Sequence, residues 1–124
     1  MLDKENSRFV KVCILMLGLT KRVNVKVTAG KVTPMPDAPG LSVCGWYQEP
    51  TDIADFHSIC VALGAVRGWR EIVAHELAHA WCVENHPKAS DHGRTFQRIA
   101  AGMRRGLRDW GYNVGAIYRK EIDK

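Results

Sequence analysis

Three spacings of apolar residues divide the chain. Between residues 3 and 20, Phe9, Val12, Cys13, Met16 and Leu19 or Thr20 recur at intervals of three and four, the stripe of an amphipathic helix. Asp3 and Glu5 suit its positive N-terminal end, and Lys21-Arg22 close the segment. A strand over 12–17 is the alternative for so short an apolar run. Val23, Val25 and Val27 then alternate with Asn24, Lys26 and Thr28, the period of a half-buried strand that Ala29-Gly30 ends. Residues 31–40 hold Pro34, Pro36, Pro39 and Gly40 and read as loop, with a little extended structure at Val32. A second strand is expected over 41–47 and a third over 56–63. The turn chemistry of Glu49-Pro50-Thr51-Asp52 between them predicts an antiparallel hairpin.

The second half of the chain is helical. Residues 69 to about 84 are apolar nearly all round, the pattern of a buried helix, and Asn85-His86-Pro87 ends it. After a loop at 88–93, Phe96, Ile99, Ala100, Met103, Leu107 and Trp110 recur at three and four, predicting an amphipathic helix over 94–110. Residues 112–124 are expected to form a short helix or a packed tail. The pattern gives an α+β class: an N-terminal helix, a small mostly antiparallel sheet of about three strands, then two helices.

At 124 residues the chain reads as a single domain, 1–124, with enough length for a core. The net charge is +5 and uneven: seven Lys/Arg against six Asp/Glu over 1–62, eleven against seven over 63–124. That tilt suits solubility and steering more than it points to a function. Cys13, Cys44, Cys60 and Cys82 form no CxxC pair and sit in apolar surroundings. They are expected to be small core residues in a reducing compartment rather than a zinc ribbon or a disulfide framework. The run 10–19 is too short to span a bilayer and lacks the flanks of a signal peptide, so no membrane partner is expected and the location reads as cytoplasmic.

Chemistry enters inside the buried helix. His75-Glu76-Leu77-Ala78-His79 is an HExxH pattern in a run that is otherwise uncharged from Ile72 to Trp81. Four residues apart on a helix, His75 and His79 point two imidazoles at one place. Glu76 lies on the flank of that face, able to reach an attacking water but not the metal without strain. Two ligands and one base are what zinc hydrolysis requires. The bland alternative is a pair of hydrogen-bonded core histidines; burying three polar groups on adjoining faces is costly enough to disfavour it.

A catalytic zinc takes a third protein ligand. His86 follows the helix end at once and is followed by Pro87, so reaching back would need an immediate reversal; it reads as an exposed loop histidine. His92 stands thirteen residues past His79, with a loop long enough to cross over the metal, and Gly93 beside it allows close backbone approach. His92 is the expected third ligand. Asp91 is the reserve, or caps the next helix, or orients a ligand histidine. On that next helix Arg94, Arg98, Arg104, Arg105 and Arg108 form a row without an acid before Asp109. The ordinary reading of such a row is a solvated helix face; tracking a phosphate backbone is the alternative.

HELAHAW followed by His92-Gly93-Arg94-Thr95-Phe96 resembles the SprT-like zinc metalloproteases, the family that includes Spartan, a protease of DNA–protein crosslinks. The close match covers about 72–96 and a looser one about 7–110. The resemblance implies a minimal gluzincin-like domain, without the cysteine-rich C-terminal zinc ribbon that many members carry, and so compact a version suits a phage or bacterial source. It implies one Zn²⁺ held by His75, His79 and His92, Glu76 as general base, a protein or peptide substrate, and DNA as a candidate partner through the Arg row. An oxyanion donor or supporting residue is expected among Tyr47, Tyr112, Tyr118, His86 and Asp91. The rival is a non-catalytic module in which zinc, with Asp91 as fourth ligand, only locks the fold.

Overall fold

The structure, a computed structural model, describes residues 4–28, 33–34, 42–43, 45–62, 69–88 and 92–117. Helix α1 spans Lys4–Leu17, so the helical reading of 12–17 holds over the strand. It buries Phe9, Val12 and Cys13 of the predicted stripe together with Val10 and Leu17, whereas Met16 of that stripe is half-buried. It stops before residue 20 because Gly18 turns the backbone to φ 61 and donates its N–H to the Ile14 carbonyl at 3.0 Å. That left-handed cap carries no penalty for a residue without Cβ.

Strand β1 (Val23–Thr28) is followed by two short strands, β2 (Thr33–Pro34) and β3 (Ser42–Val43), which pair with each other as a separate antiparallel ribbon. β4 (Gly45–Gln48) and β5 (His57–Ala62) form the expected antiparallel hairpin, Tyr47 opposite Ile59 and Gln48 opposite Ser58. The predicted second strand over 41–47 is thus divided between two sheets. β1 joins the other side of β5 in parallel, Val23 opposite His57 and Val25 opposite Ile59, giving a three-stranded mixed sheet in the order β1-β5-β4. Local alternation cannot choose a parallel partner, which is why the sequence suggested a mostly antiparallel sheet.

Helices α2 (Trp69–Asn85) and α3 (Arg94–Asp109) complete an α+β fold among the described residues. The core lies where the inner side of the sheet, through Ile59 and Val61, meets Phe9 and Cys13 of α1, Ile72 and Leu77 of α2, and Phe96, Met103 and Leu107 of α3. Because α2 has neighbours on several sides, every residue from Ile72 to Ala78 is buried. Glycine also ends α3: Gly111, at φ 97, donates to the Arg108 carbonyl, and Tyr112 donates to that of Leu107. This is the paired pattern of a Schellman cap. The cap sends residues 112–117 back across the core as a packed tail without regular structure, burying Val114 and Ile117.

Cys13 and Cys60 are buried free cysteines and Cys82 is partly covered, as expected of small core residues. Burial pushes the Cys13 thiol up to about 12, so it stays protonated and unreactive. Cys44 lies outside the described residues. Among the described residues no helix is long and apolar enough to cross a membrane.

Candidate metal centre

The helical spacing of His75 and His79 sets two imidazole rings 5.0 Å apart between centroids on one face of α2. The chain leaving α2 then returns, and His92, in the turn just before α3, brings a third ring to 5.2 Å from His75 and 4.7 Å from His79. One ligand atom from each of the three lies within 4.8 Å of the others, the metal-site group found among the described residues. His79 Nε2 and His92 Nε2 are 3.0 Å apart. Two nitrogens at about 2.0–2.1 Å from one tetrahedral zinc stand about 3.4 Å apart, so this spacing is close to what an ion would need. His75 is almost fully buried at 2 % exposure, and its Nδ1 lies 3.0 Å from the Ile117 carbonyl. A carbonyl only accepts, so Nδ1 carries the hydrogen and Nε2 the lone pair, the tautomer a metal ligand needs.

Phe96 fills the space behind the three rings. It is fully buried, with centroids 4.9 Å from His75, 4.5 Å from His79 and 5.0 Å from His92. The side chain that fastens α3 to α2 therefore also walls the site with hydrocarbon. Glu76, 6 % exposed, sits one residue round the helix from His75. The donor set, three imidazoles beside a buried carboxylate, fits a metal ion.

The remaining candidates are scattered. His86 is exposed beyond the end of α2, its ring 5.4 Å from Trp81, as a loop histidine would be. Tyr112 packs edge-on to Phe9 at 5.1 Å with the Arg70 guanidinium 5.1 Å from its ring, which places it on the α1 side rather than among the histidines. Gly93 is the N-cap of α3 at φ −80, an extended conformation open to any residue, and no side chain caps the helix. Asp91 and Tyr118 lie outside the described residues. Arg94, Arg98, Arg105 and Arg108 are exposed on α3, whereas Arg104 is half-buried and its Nε donates to the Val114 carbonyl at 3.3 Å. A cavity of about 340 Å³ between α3 and the tail is lined by Gln97, Arg104, Arg105 and Ile117 among others, with none of the three histidines on its wall.

Sequence reasoning missed a second polar cluster. His57, fully buried on the central strand β5, has Nδ1 2.7 Å from the Tyr47 hydroxyl and Nε2 2.6 Å from Glu84 Oε2. Glu84, near the end of α2, also accepts the Thr20 N–H at 2.8 Å, the Thr20 hydroxyl at 2.9 Å and the Lys21 N–H at 3.1 Å. Burial works to raise the Glu84 carboxyl, but the hydrogen bonds from His57, Thr20 and Lys21 outweigh it and hold the group down at about 2. The Tyr47 hydroxyl is pushed well above the usual phenol range, by burial first and then by Glu49 and Glu84. The Tyr47 ring lies nearly parallel to His79, 6.2 Å away with 20° between the planes. One signal was present in the sequence: His57, Ile59 and Val61 share the period of two, so a buried Ile and Val implied a histidine on the same inward side.

The model of the SprT-like family matches residues 55–113, the stretch that holds β5, α2, α3 and all three histidines of the cluster. No curated protein and no solved structure matches the chain. Over this stretch, which carries the three histidines that could hold a metal ion, the chain is similar to the SprT-like family.

Proposed function

We propose that the protein is a zinc-dependent metallopeptidase acting on protein substrates. The observation that carries this reading is the meeting of His75 and His79 of α2 with His92 of the turn before α3, beside the buried Glu76. Three imidazoles are a donor set and a ligand number suited to catalytic zinc, and these residues would hold the ion. When bound, zinc supplies Lewis acidity, polarising the scissile carbonyl and making water nucleophilic near neutral pH. The Glu76 carboxylate accepts the proton of the attacking water and returns it to the leaving amine. Phe96 keeps bulk water from one side of the histidines, which strengthens charge interactions there. Of the two edge strands among the described residues, β1 and β4, the one beside the site is β4, whose Tyr47 lies next to His79, and an extended substrate peptide would join there.

Replacing Glu76 with Gln tests the reading. The variant should bind one zinc per chain as wild type does, while cleavage of an unfolded protein such as casein falls by about 10²–10⁴-fold. Equal rates in the two proteins would remove Glu76 from the chemistry. A non-catalytic module would instead show no zinc-dependent cleavage in the wild-type chain and would unfold on chelation.

DNA is a candidate partner through the Arg row, the alternative being an ordinary solvated helix face. Arg94, Arg98, Arg105 and Arg108 fall within an arc of about 80° on α3 at 100° per residue, and among the described residues no acid pairs with them. Phe96, Met103 and Leu107 lie on the opposite side of the helix. DNA tracked by this row would run along the outer face of α3, behind the metal centre rather than across its mouth. Binding through these side chains should weaken steeply with salt, and substituting two of the arginines should lower the slope of log K against log salt by about two.

A further inference from the structure

We propose that Tyr47 is a positioning residue for the metal ligand His79, held in place by His57 and Glu84. The inference rests on the zinc reading above and extends it to a residue outside the family match at 55–113. A carboxylate accepts hydrogen bonds only, so His57 Nε2 donates to Glu84. Nδ1 lies 2.7 Å from the Tyr47 hydroxyl, so His57 and Tyr47 are joined by a hydrogen bond whichever of the two supplies the hydrogen. With its hydroxyl held at His57, Tyr47 presents the flat of its ring to the metal centre.

The ring is placed where orientation matters. It lies 20° from the plane of His79, and Phe96 lies 30° from the same plane at 4.5 Å. Two near-parallel rings, one from β4 and one from α3, restrict rotation of the imidazole about its bond to Cβ. A ligand whose plane is set beforehand loses less freedom when the ion arrives, and residues that orient ligands typically contribute about 10–100-fold in metal affinity. The anchor behind Tyr47 is equally fixed: His57 is fully buried on the central strand, and Glu84 is tied to the Thr20 and Lys21 backbone N–H groups where the chain enters β1. The chain of contacts therefore runs from the start of β1, through α2 and β5, to a metal ligand.

The test measures metal rather than catalysis. Zn²⁺ affinity by chelator competition, the visible spectrum of the Co²⁺-substituted protein, and the melting temperature of the apoprotein are compared for wild type, Tyr47→Leu, Tyr47→Phe and His57→Gln. Tyr47→Leu should weaken Zn²⁺ by about tenfold or more and shift the Co²⁺ bands. Tyr47→Phe keeps the ring and should retain most of the affinity lost in Tyr47→Leu, though with a severalfold loss; His57→Gln should lose a similar amount. Zn²⁺ affinity of Tyr47→Leu within twofold of wild type, with an unchanged Co²⁺ spectrum, overturns the proposal. So does a loss of the same size in Tyr47→Phe and Tyr47→Leu that simply follows the fall in apoprotein melting temperature. Failure of the peptidase reading is separate: it would appear as wild-type protein that binds Zn²⁺ but does not cleave.

Discussion

Two partly buried polar clusters are built against helix α2, and they solve the problem of burial in opposite ways. Near its middle, three imidazoles converge within 4.8 Å. Groups of one kind meet there: a hydrogen bond can join two of the three nitrogens, whereas a cation can hold all three. Near its end, His57, Glu84, Tyr47 and Thr20 form a set in which each donor faces an acceptor, and Glu84 stays charged because four hydrogen bonds reach it. The first arrangement offers three like ligand atoms to a cation; the second is completed by the fold itself. Polar burial alone therefore does not mark a functional site. A gathering of like ligand atoms at one point is the added feature that distinguishes a candidate metal centre.

The sharpest way to break this contrast is at the middle of α2. Glu76→Gln, with its expected loss of about 10²–10⁴-fold in cleavage and unchanged zinc stoichiometry, separates the proton carrier from the ligands. His92→Ala should follow, lowering Zn²⁺ affinity by about 100-fold or more in a competition assay while the apoprotein unfolds in urea near the wild-type midpoint. If the apoprotein lost several kcal/mol instead, the histidine cluster would be structural like its neighbour.

At the end of the helix the expected effects fall on stability. Glu84→Ala removes a charged acceptor and strands His57, and should cost about 1.5–3 kcal/mol in urea unfolding at pH 7. The same residue sets a pH dependence. Its folded value, about 2, is below its unfolded value, 4.5, so its contribution is complete above pH 4.5 and lost as pH falls towards 2. Urea midpoints across that window should drop more steeply in wild type than in Glu84→Gln. The smallest expected effect lies on the outer face of α3. Arg98→Glu with Arg105→Glu should change stability by no more than about 0.5 kcal/mol, because both side chains are exposed, while salt-dependent DNA retention decreases.

Spacing along the chain was enough to place His75, Glu76 and His79, since a helix fixes side chains three and four apart without outside help. Loop length and the helix beginning at Arg94 singled out His92 from His86, and the returning chain does bring His92 to His79. Apolar periodicity likewise disclosed all three helices and the hairpin of β4 with β5, because one buried face per element is a local property. Stops were less legible: Gly18, not Lys21-Arg22, ends α1.

What periodicity could not disclose was set by partners remote in sequence. The parallel pairing of β1 with β5 depends on a crossover, not on either strand's own pattern. His57 looked like one more residue of an apolar strand until β5 was set beneath α2, 27 positions from its partner Glu84. Tyr47 and Tyr112 were equivalent in the sequence; a cross-strand register put one beside His79 and a Schellman cap put the other against Phe9. The sequence by itself determined that His75, Glu76 and His79 stand together on one stretch of helix, because local backbone geometry fixes their mutual spacing. Only the tertiary structure decided which groups support them, because that depends on which faces meet when the core closes.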